Sequence, residues 1–241
     1  MKILFAPSES KIEGGFKKFK LENLSFDNEL GKLRSELWDK YLSVFSSGDA
    51  SEICALTGLK NPQNLDFDLA TNALKRYNGV AYEYLDISSL DKKALGFLDD
   101  NLLIFSNLFG VLKPSDQIPN YKLKQGAKCV GIDTAIFYKK ELSAFLDEYL
   151  EGDEILDIRA EFYNKFYTPK REFFSLKFFK NGKIVSHFAK AYRGRILRYL
   201  AQNACNSFDE FLALKLPELK LLDIGKIQNK IIYNFEIISQ N

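Results

Sequence analysis

The chain has 241 residues, 46% of them hydrophobic and 27% charged, with a formal net charge of +2; that is enough apolar material for a sizeable core, and no apolar run approaches the roughly 18 residues of a membrane span. A single histidine, His187, and three widely spaced cysteines, Cys54, Cys129 and Cys205, exclude multi-histidine metal sites, zinc spacings and a disulfide framework. No metal, cofactor or membrane partner is expected, and the short apolar opening Met1–Pro7 lacks the marks of a signal peptide, which points to a reducing cytoplasm.

Lys2 to Ala6 reads as a buried strand stopped by Pro7, followed by a polar loop containing Ser8, Glu9, Ser10, Lys11 and Gly14-Gly15. From Asp27 to Phe45 apolar residues recur at helical spacing, and Gly48 can end that helix. Short helices are expected at about Ala50 to Leu56 and Asp68 to Tyr77, and another from Ser89 to Leu98 with a serine cap. Leu102 to Ser106 is a second buried strand, Asp133 to Leu150 a helix and Glu154 to Ile158 a third buried strand. Strands that alternate with helices and end in polar residues suggest a partly parallel sheet. After Pro169, Phe173 to Phe179, Asn181-Gly182 and Lys183 to Phe188 form a hairpin pattern, because Asn-Gly supplies the positive φ angles of a type I′ turn. His187 falls in that alternating pattern and is read as structural. Helices from about Phe188 to Asn203 and Ser207 to Leu214 follow, then a final strand from Lys230 to Ile238. With no linker or repeat, residues 1–241 are expected to form one compact mixed α/β domain. Its partly parallel sheet would be surrounded by helices, with the hairpin and a basic helix in the C-terminal part.

Charge is segregated along the chain. Between Asn164 and Ala201 there are ten basic residues and one acid, a local charge of +9 that leaves −7 for the remainder. Such concentration usually faces a polyanion, a phosphorylated ligand or an acidic partner. On a helical wheel Phe188, Tyr192, Ile196, Tyr199 and Leu200 share one sector, while Lys190, Arg193, Arg195 and Arg198 spread across the opposite side with Gly194 near their middle. A mid-helix glycine costs about 1 kcal/mol relative to alanine. Close approach of a phosphate or of another backbone would account for it. For Lys177, Lys180 and Lys183 an edge-strand role against aggregation is expected.

Two further constellations stand out. The turn Leu108-Phe-Gly110-Val, leading to Lys113, Lys122 and Lys124, is similar to the hairpin of a helix-hairpin-helix, whose amides meet DNA phosphate. From spacing alone an ordinary strand exit is the preferred reading. Ligands of open α/β sheets gather at strand carboxyl ends, so Ser8, Ser10, Lys11, Ser106, Asn107, Arg159 and Glu161 form a candidate cleft. Neither Gly14-Gly15 nor Gly126 to Gly131 has the spacing of a nucleotide fingerprint.

The segment Leu103-Ile-Phe-Ser-Asn-Leu-Phe-Gly-Val-Leu-Lys-Pro-Ser-Asp116, continuing to Pro119-Asn-Tyr-Lys-Leu123, resembles the Ser-Gly-Leu-Tyr-Gly-Val-Leu-Arg-Pro pattern of the bacterial YaaA peroxide-stress family. Ala189-Lys-Ala-Tyr-Arg-Gly194 is similar to that family's Ala-Lys-x-x-Arg-Gly. Ala6-Pro-Ser-Glu-Ser-Lys11 departs from its Ser-Pro-Ala-Lys, and Asp157-Ile-Arg-Ala-Glu-Phe-Tyr163 from its Asn-Leu-Ala-Ser-x-Glu-Tyr. The resemblance implies a mixed α/β fold with a positively charged cleft and a helix-hairpin-helix-like element. It also implies DNA binding and a role in limiting peroxide damage and free iron; it implies no particular enzymatic activity.

Three readings follow. In the first, Lys190, Arg193, Arg195 and Arg198, extended by Lys113, Lys122 and Lys124, neutralise DNA phosphates without sequence preference, and Tyr121 or Tyr192 stacks on bases. In the second, an enzyme acts on a nucleotide, base or other phosphorylated small molecule held by Lys11, Ser106, Lys190 and Arg193, with Glu161 as acid or base. In the third, the basic face meets an acidic protein.

Overall fold

The structure, a computed structural model, describes residues 1–60 and 65–238, and of Ser186 and His187 the backbone only. The role expected of the His187 side chain therefore lies outside the described residues. In chain order the elements begin with β1 (Lys2–Phe5), β2 (Lys17–Lys18), α1 (Asp27–Ser47), α2 (Ala50–Thr57), β3 (Asp66–Asn72), α3 (Ala73–Arg76), α4 (Val80–Leu85) and α5 (Lys92–Asn101). They continue with β4 (Leu102–Ser106), β5 (Gly110–Leu112), β6 (Gln117–Asn120), β7 (Lys128–Cys129), β8 (Ile132–Asp133), α6 (Thr134–Tyr149) and β9 (Ile155–Asp157). The last are β10 (Phe173–Lys180), β11 (Lys183–Ile184), α7 (Ser186–Asn203), α8 (Phe208–Leu212), β12 (Leu219–Ile227) and β13 (Lys230–Ile237).

The apolar runs read as buried strands take the middle of the main sheet, whose order is β12-β13-β10-β9-β1-β4-β5 with β11 beside β10. β4, β1, β9, β10 and β13 are parallel to their neighbours along that path, while β5 and β12 close its edges antiparallel. Every residue of β4 and β9 is buried, as continuous apolar strands covered on both faces should be. A mixed α/β architecture with a largely parallel sheet is thus what the strand–helix alternation predicts.

Local chemistry explains the boundaries. Asp49, Asp91 and Asp133 accept backbone N–H bonds at the starts of α2, α5 and α6, and Gly48 and Gly58 take the left-handed conformation just past α1 and α2. The cap of α5 is therefore Asp91; Ser89 is engaged instead with Asp86. Asn181 and Gly182 both have positive φ, 53° and 70°, as a type I′ turn requires.

Three expectations are corrected. Asp68 to Tyr77 is not one helix: β3 runs to Asn72 and only Ala73–Arg76 turn helically. Pairing of Ala70–Asn72 with Gln117–Pro119, and packing of Phe67 on Trp38, Tyr41 and Phe45, outweigh a short helical pattern. The second arm of the Asn-Gly hairpin is only Lys183–Ile184, and α7 starts at Ser186, so His187 is helical. The first arm is no edge strand, since β10 lies between β9 and β13, and Lys177 is only partly exposed.

Candidate functional site

Parallel strands deliver their exits to one end of a sheet, and there two adjoining cavities open, of about 480 and 490 Å³. The first lies beyond β1 and β9. Phe5, Ile158, Tyr82 and Tyr163 line it, with Ser8 and Ser10 from the loop after β1. The second lies over β10, with Ser175, Lys177, Lys230 and Glu161 in its wall. Ala160, Lys190 and Arg193 belong to both.

Helix α7 sends its cations in different directions. Gly194 is buried, and a Cβ there would come within 1.9 Å of the Ala81 carbonyl oxygen. The glycine thus admits the backbone of α4, not a phosphate, which corrects its assignment to an open cationic face. Arg195 is 3.7 Å from Glu218 and lies 4.9 Å over the Tyr84 ring. Arg198 donates to the Leu85 and Asp86 carbonyls, both at 3.0 Å, and caps α4. Lys190 and Arg193 alone of the four turn to the cavities. Lys190 is exposed. Arg193 makes no hydrogen bond or ion pair among the described residues. Burial pulls its guanidinium below the ordinary arginine pKa, against the opposing fields of Asp157 and Glu161.

Behind the first cavity stands a cluster of hydroxyls and one amine. The Tyr121 hydroxyl is 2.8 Å from Ser106 Oγ and 2.9 Å from the Tyr77 hydroxyl. Lys11 Nζ lies 4.0 Å over the Tyr121 ring and donates to the Ser8 carbonyl at 3.2 Å. Burial, reinforced by the neighbouring charge of Lys122, pushes the Lys11 ammonium down to about 7. Burial also pushes the Tyr121 phenol up to about 12. The loop carrying Lys11 is held by Ile12 N–H to the Arg76 carbonyl and Asn78 N–H to the Ser10 carbonyl.

The remaining expected residues divide. Ser8 and Ser10 reach the first cavity, and Arg159 and Glu161 the second. Arg159, however, is bound through Nε and Nη2 to both oxygens of Asp157, at 2.9 and 2.7 Å, and stacks 4.1 Å from Phe105. Its charge is neutralised within the fold. Ser106 and Asn107 are buried beneath the site; Ser106 Oγ also accepts the Leu108 and Phe109 amides. Gly110 starts a strand in a β4–β5 turn that is buried from residue 106 to 112, and its Cα hydrogens face the Tyr138 ring. Arg34 donates from below to the Phe109 and Val111 carbonyls. The turn therefore joins strands, not helices, and offers no amides to DNA.

Lys113 follows β5, which runs against β4, so it lies at the opposite end of the sheet, 5.8 Å from the Phe26 ring. Lys122 is anchored by a 3.1 Å bond to the Glu9 carbonyl, and the Lys124 stem lies against Gly58. The lysine track expected around Gly110 is dispersed. Lys177 and Lys230 enter the site unannounced by any motif, whereas Tyr163 closes the segment set against the family's Asn-Leu-Ala-Ser-x-Glu-Tyr; Tyr82 joins them from α4. Alternation along β10 puts Ser175 and Lys177 on one face, and was the signal available for Lys177.

Among the described residues no group of three or more His, Cys, Asp or Glu is placed to hold a metal ion, and no helix is long and apolar enough to cross a membrane. The family model described as peroxide stress protein YaaA matches residues 1–223. An uncharacterized protein of Campylobacter jejuni, Cj0984, is 46% identical over 231 residues, covering 93% of this chain and 94% of that protein. A UPF0246 protein of Streptomyces coelicolor, SCO2297, is 30% identical over 216 residues, covering 83% and 82%. One from Finegoldia magna is 26% identical over an alignment of 254 positions that covers both chains fully. The chain belongs to the YaaA family of peroxide stress proteins.

Proposed function

We propose, taking membership of the YaaA family as the premise, that this chain serves the peroxide response by binding a phosphate-bearing ligand in the paired cavities. Arg193 and Lys190 hold the phosphate between them. The observation that carries this reading is Arg193 itself: a half-buried guanidinium on the boundary of two cavities with no carboxylate in contact. Such a group is only partly hydrated and makes no bond within the protein among the described residues, and an anion with paired oxygens matches its fork. The cavities are of the size that encloses a small molecule. A phosphorylated small molecule is favoured over an extended DNA groove because Arg195 and Arg198 are spent on Glu218 and on the end of α4.

DNA remains a second reading in a narrower form, supported by Lys190, exposed at the cavity wall. A backbone phosphate or an extruded nucleotide would enter the same cleft, without sequence preference. Any effect on damage or on free iron would then follow from the ligand.

Calorimetric titration with inorganic pyrophosphate tests the site. Arg193→Gln should weaken binding about tenfold or more, in line with the loss of a charge-assisted pair. Arg195→Gln should leave it unchanged. Equal affinity in the wild type and Arg193→Gln would remove the proposal. If pyrophosphate fails to displace a bound DNA oligomer, the two ligands do not share this cleft.

A further inference from the structure

The two cavities differ in chemistry, and the difference gives the ligand a direction. Beyond the shared Lys190 and Arg193, the first holds a single charged side chain, Glu9, whose Oε1 already accepts the Gln125 amide at 3.0 Å. Its other walls are uncharged: Phe5, Tyr82, Tyr163 and Ile158, with Ser10 and Gln125 as polar groups at the edge and the Ser8 hydroxyl donating to the Asn78 carbonyl at 3.1 Å. The Tyr82 hydroxyl is already committed to the Ala6 carbonyl at 3.0 Å, so that ring presents an apolar surface. Such a space suits a flat, uncharged heteroaromatic group with donors and acceptors on its edge.

The second cavity is cationic. Lys177 and Lys230 join Lys190 and Arg193, with Glu161 as the opposing carboxylate. Arg159 adds no free charge, since Asp157 binds it through both oxygens. Lys177 and Lys230 come from β10 and the start of β13, adjacent strands, and line one space from the same side of the sheet. Flexible point charges of this kind suit successive phosphates, whereas the planar guanidinium at the boundary suits the first.

From this arrangement we infer that the site takes a nucleoside 5′-polyphosphate, its base in the first cavity, its α-phosphate between Arg193 and Lys190, and its outer phosphates running toward Lys177 and Lys230. The inference rests on the anion reading of Arg193 and adds the ligand class and its orientation. The cavity volumes agree with it: about 480 Å³ for the base and sugar and about 490 Å³ for the tail.

Calorimetry with the 5′-mono-, di- and triphosphates of adenosine, guanosine, cytidine and uridine, alongside inorganic tripolyphosphate, tests both levels. At least one base series should tighten from mono- to triphosphate by about tenfold or more, and its triphosphate should bind about tenfold tighter than tripolyphosphate. Lys177→Ala combined with Lys230→Ala should abolish the gain from added phosphates and keep the monophosphate affinity. Ser10→Trp, which narrows the first cavity from an exposed position, should reduce the nucleotide to the affinity of tripolyphosphate. If tripolyphosphate binds as tightly as every nucleotide, or no series tightens with phosphate number, the orientation is overturned while the anion site stands. If no phosphate compound binds in a manner that depends on Arg193, the anion site falls with it.

Discussion

An alanine methyl at position 194 would lie 1.9 Å from the Ala81 carbonyl oxygen and 2.8 Å from its carbon. The obstacle is backbone, so no rotamer change relieves it. Alanine gains about 1 kcal/mol of helix propensity over glycine. Overpacking against a fixed helix typically costs about 1–3 kcal/mol and can exceed that. Gly194→Ala is therefore expected to destabilise the protein by about 2 kcal/mol or more, measured by urea unfolding; a neutral or stabilising result would mean that α4 yields freely. At Lys11 the relevant quantity is pH. Its pKa falls from 10.5 to about 7 on folding. Above 7 the folded amine is neutral while the unfolded one still holds a proton, so stability rises with pH from about 7, at up to about 1.4 kcal/mol per unit. Cys129 works the other way. Its thiol goes from 9.0 to about 11, so the unfolded state releases that proton first and stability falls above about pH 9. Urea unfolding between pH 7 and 8.5 should show wild-type stability rising, and Lys11→Met should flatten the rise. Equal slopes in the two proteins would show that Lys11 does not titrate there.

Helix α7 has contacts on more than one side: Gly194 meets α4, and Phe178 of β10 stacks on Tyr192. That is why a wheel with one apolar and one cationic half described it incompletely. The period of Phe188 to Leu200 locates a helix, but a wheel cannot show that Gly194 is also covered, or that Arg198 reaches the end of a neighbouring element. Local signals were legible where local energy decides: the Asn181-Gly182 turn, the strand stopped by Pro7, the aspartate-capped start of α6. They failed at Asp68 to Tyr77, where strand pairing from residues 117–120 selects the structure. The site divides in the same way. Ser8, Ser10, Lys190 and Arg193 were accessible as strand-exit and helix residues, whereas Lys177 and Lys230 meet only through the sheet order, and Tyr82 and Tyr163 through the packing of α4 and of the turn after β9. The two arginines of α7 should consequently separate in experiment. Arg198→Ala, which frees the Leu85 and Asp86 carbonyls, should lower Tm by about 2 °C or more and leave pyrophosphate affinity intact. Arg193→Gln should do the reverse. Loss of affinity in Arg198→Ala at unchanged Tm would place the anion on the α4 side instead.

Across the whole molecule the +9 segment does not act as one surface. Lys170 pairs with Asp147 at 2.7 Å, Arg195 and Arg198 face Glu218 and Asp86 at 3.7 and 3.6 Å, and Glu172 is taken by Lys226 at 2.7 Å. Acidic residues from distant parts of the chain thus fold back onto the basic stretch and compensate part of its charge locally. The cations left facing one space are Lys177, Lys190, Arg193 and Lys230. This limits how DNA could bind. If single-stranded DNA uses only those four, the slope of log affinity against log salt should be no steeper than about −3, from roughly 0.7 counterions released per neutralised phosphate. Pairs such as Arg195–Glu218 contribute little to such a slope because their charge is already compensated nearby. A salt titration of single-stranded DNA binding should therefore give a shallow slope, made shallower by about 0.7 on Arg193→Gln and unaltered by Arg195→Gln. A slope of about −6 or steeper would require eight or more phosphates, more than this cleft can neutralise, and would return the interaction to the outer surface of the protein.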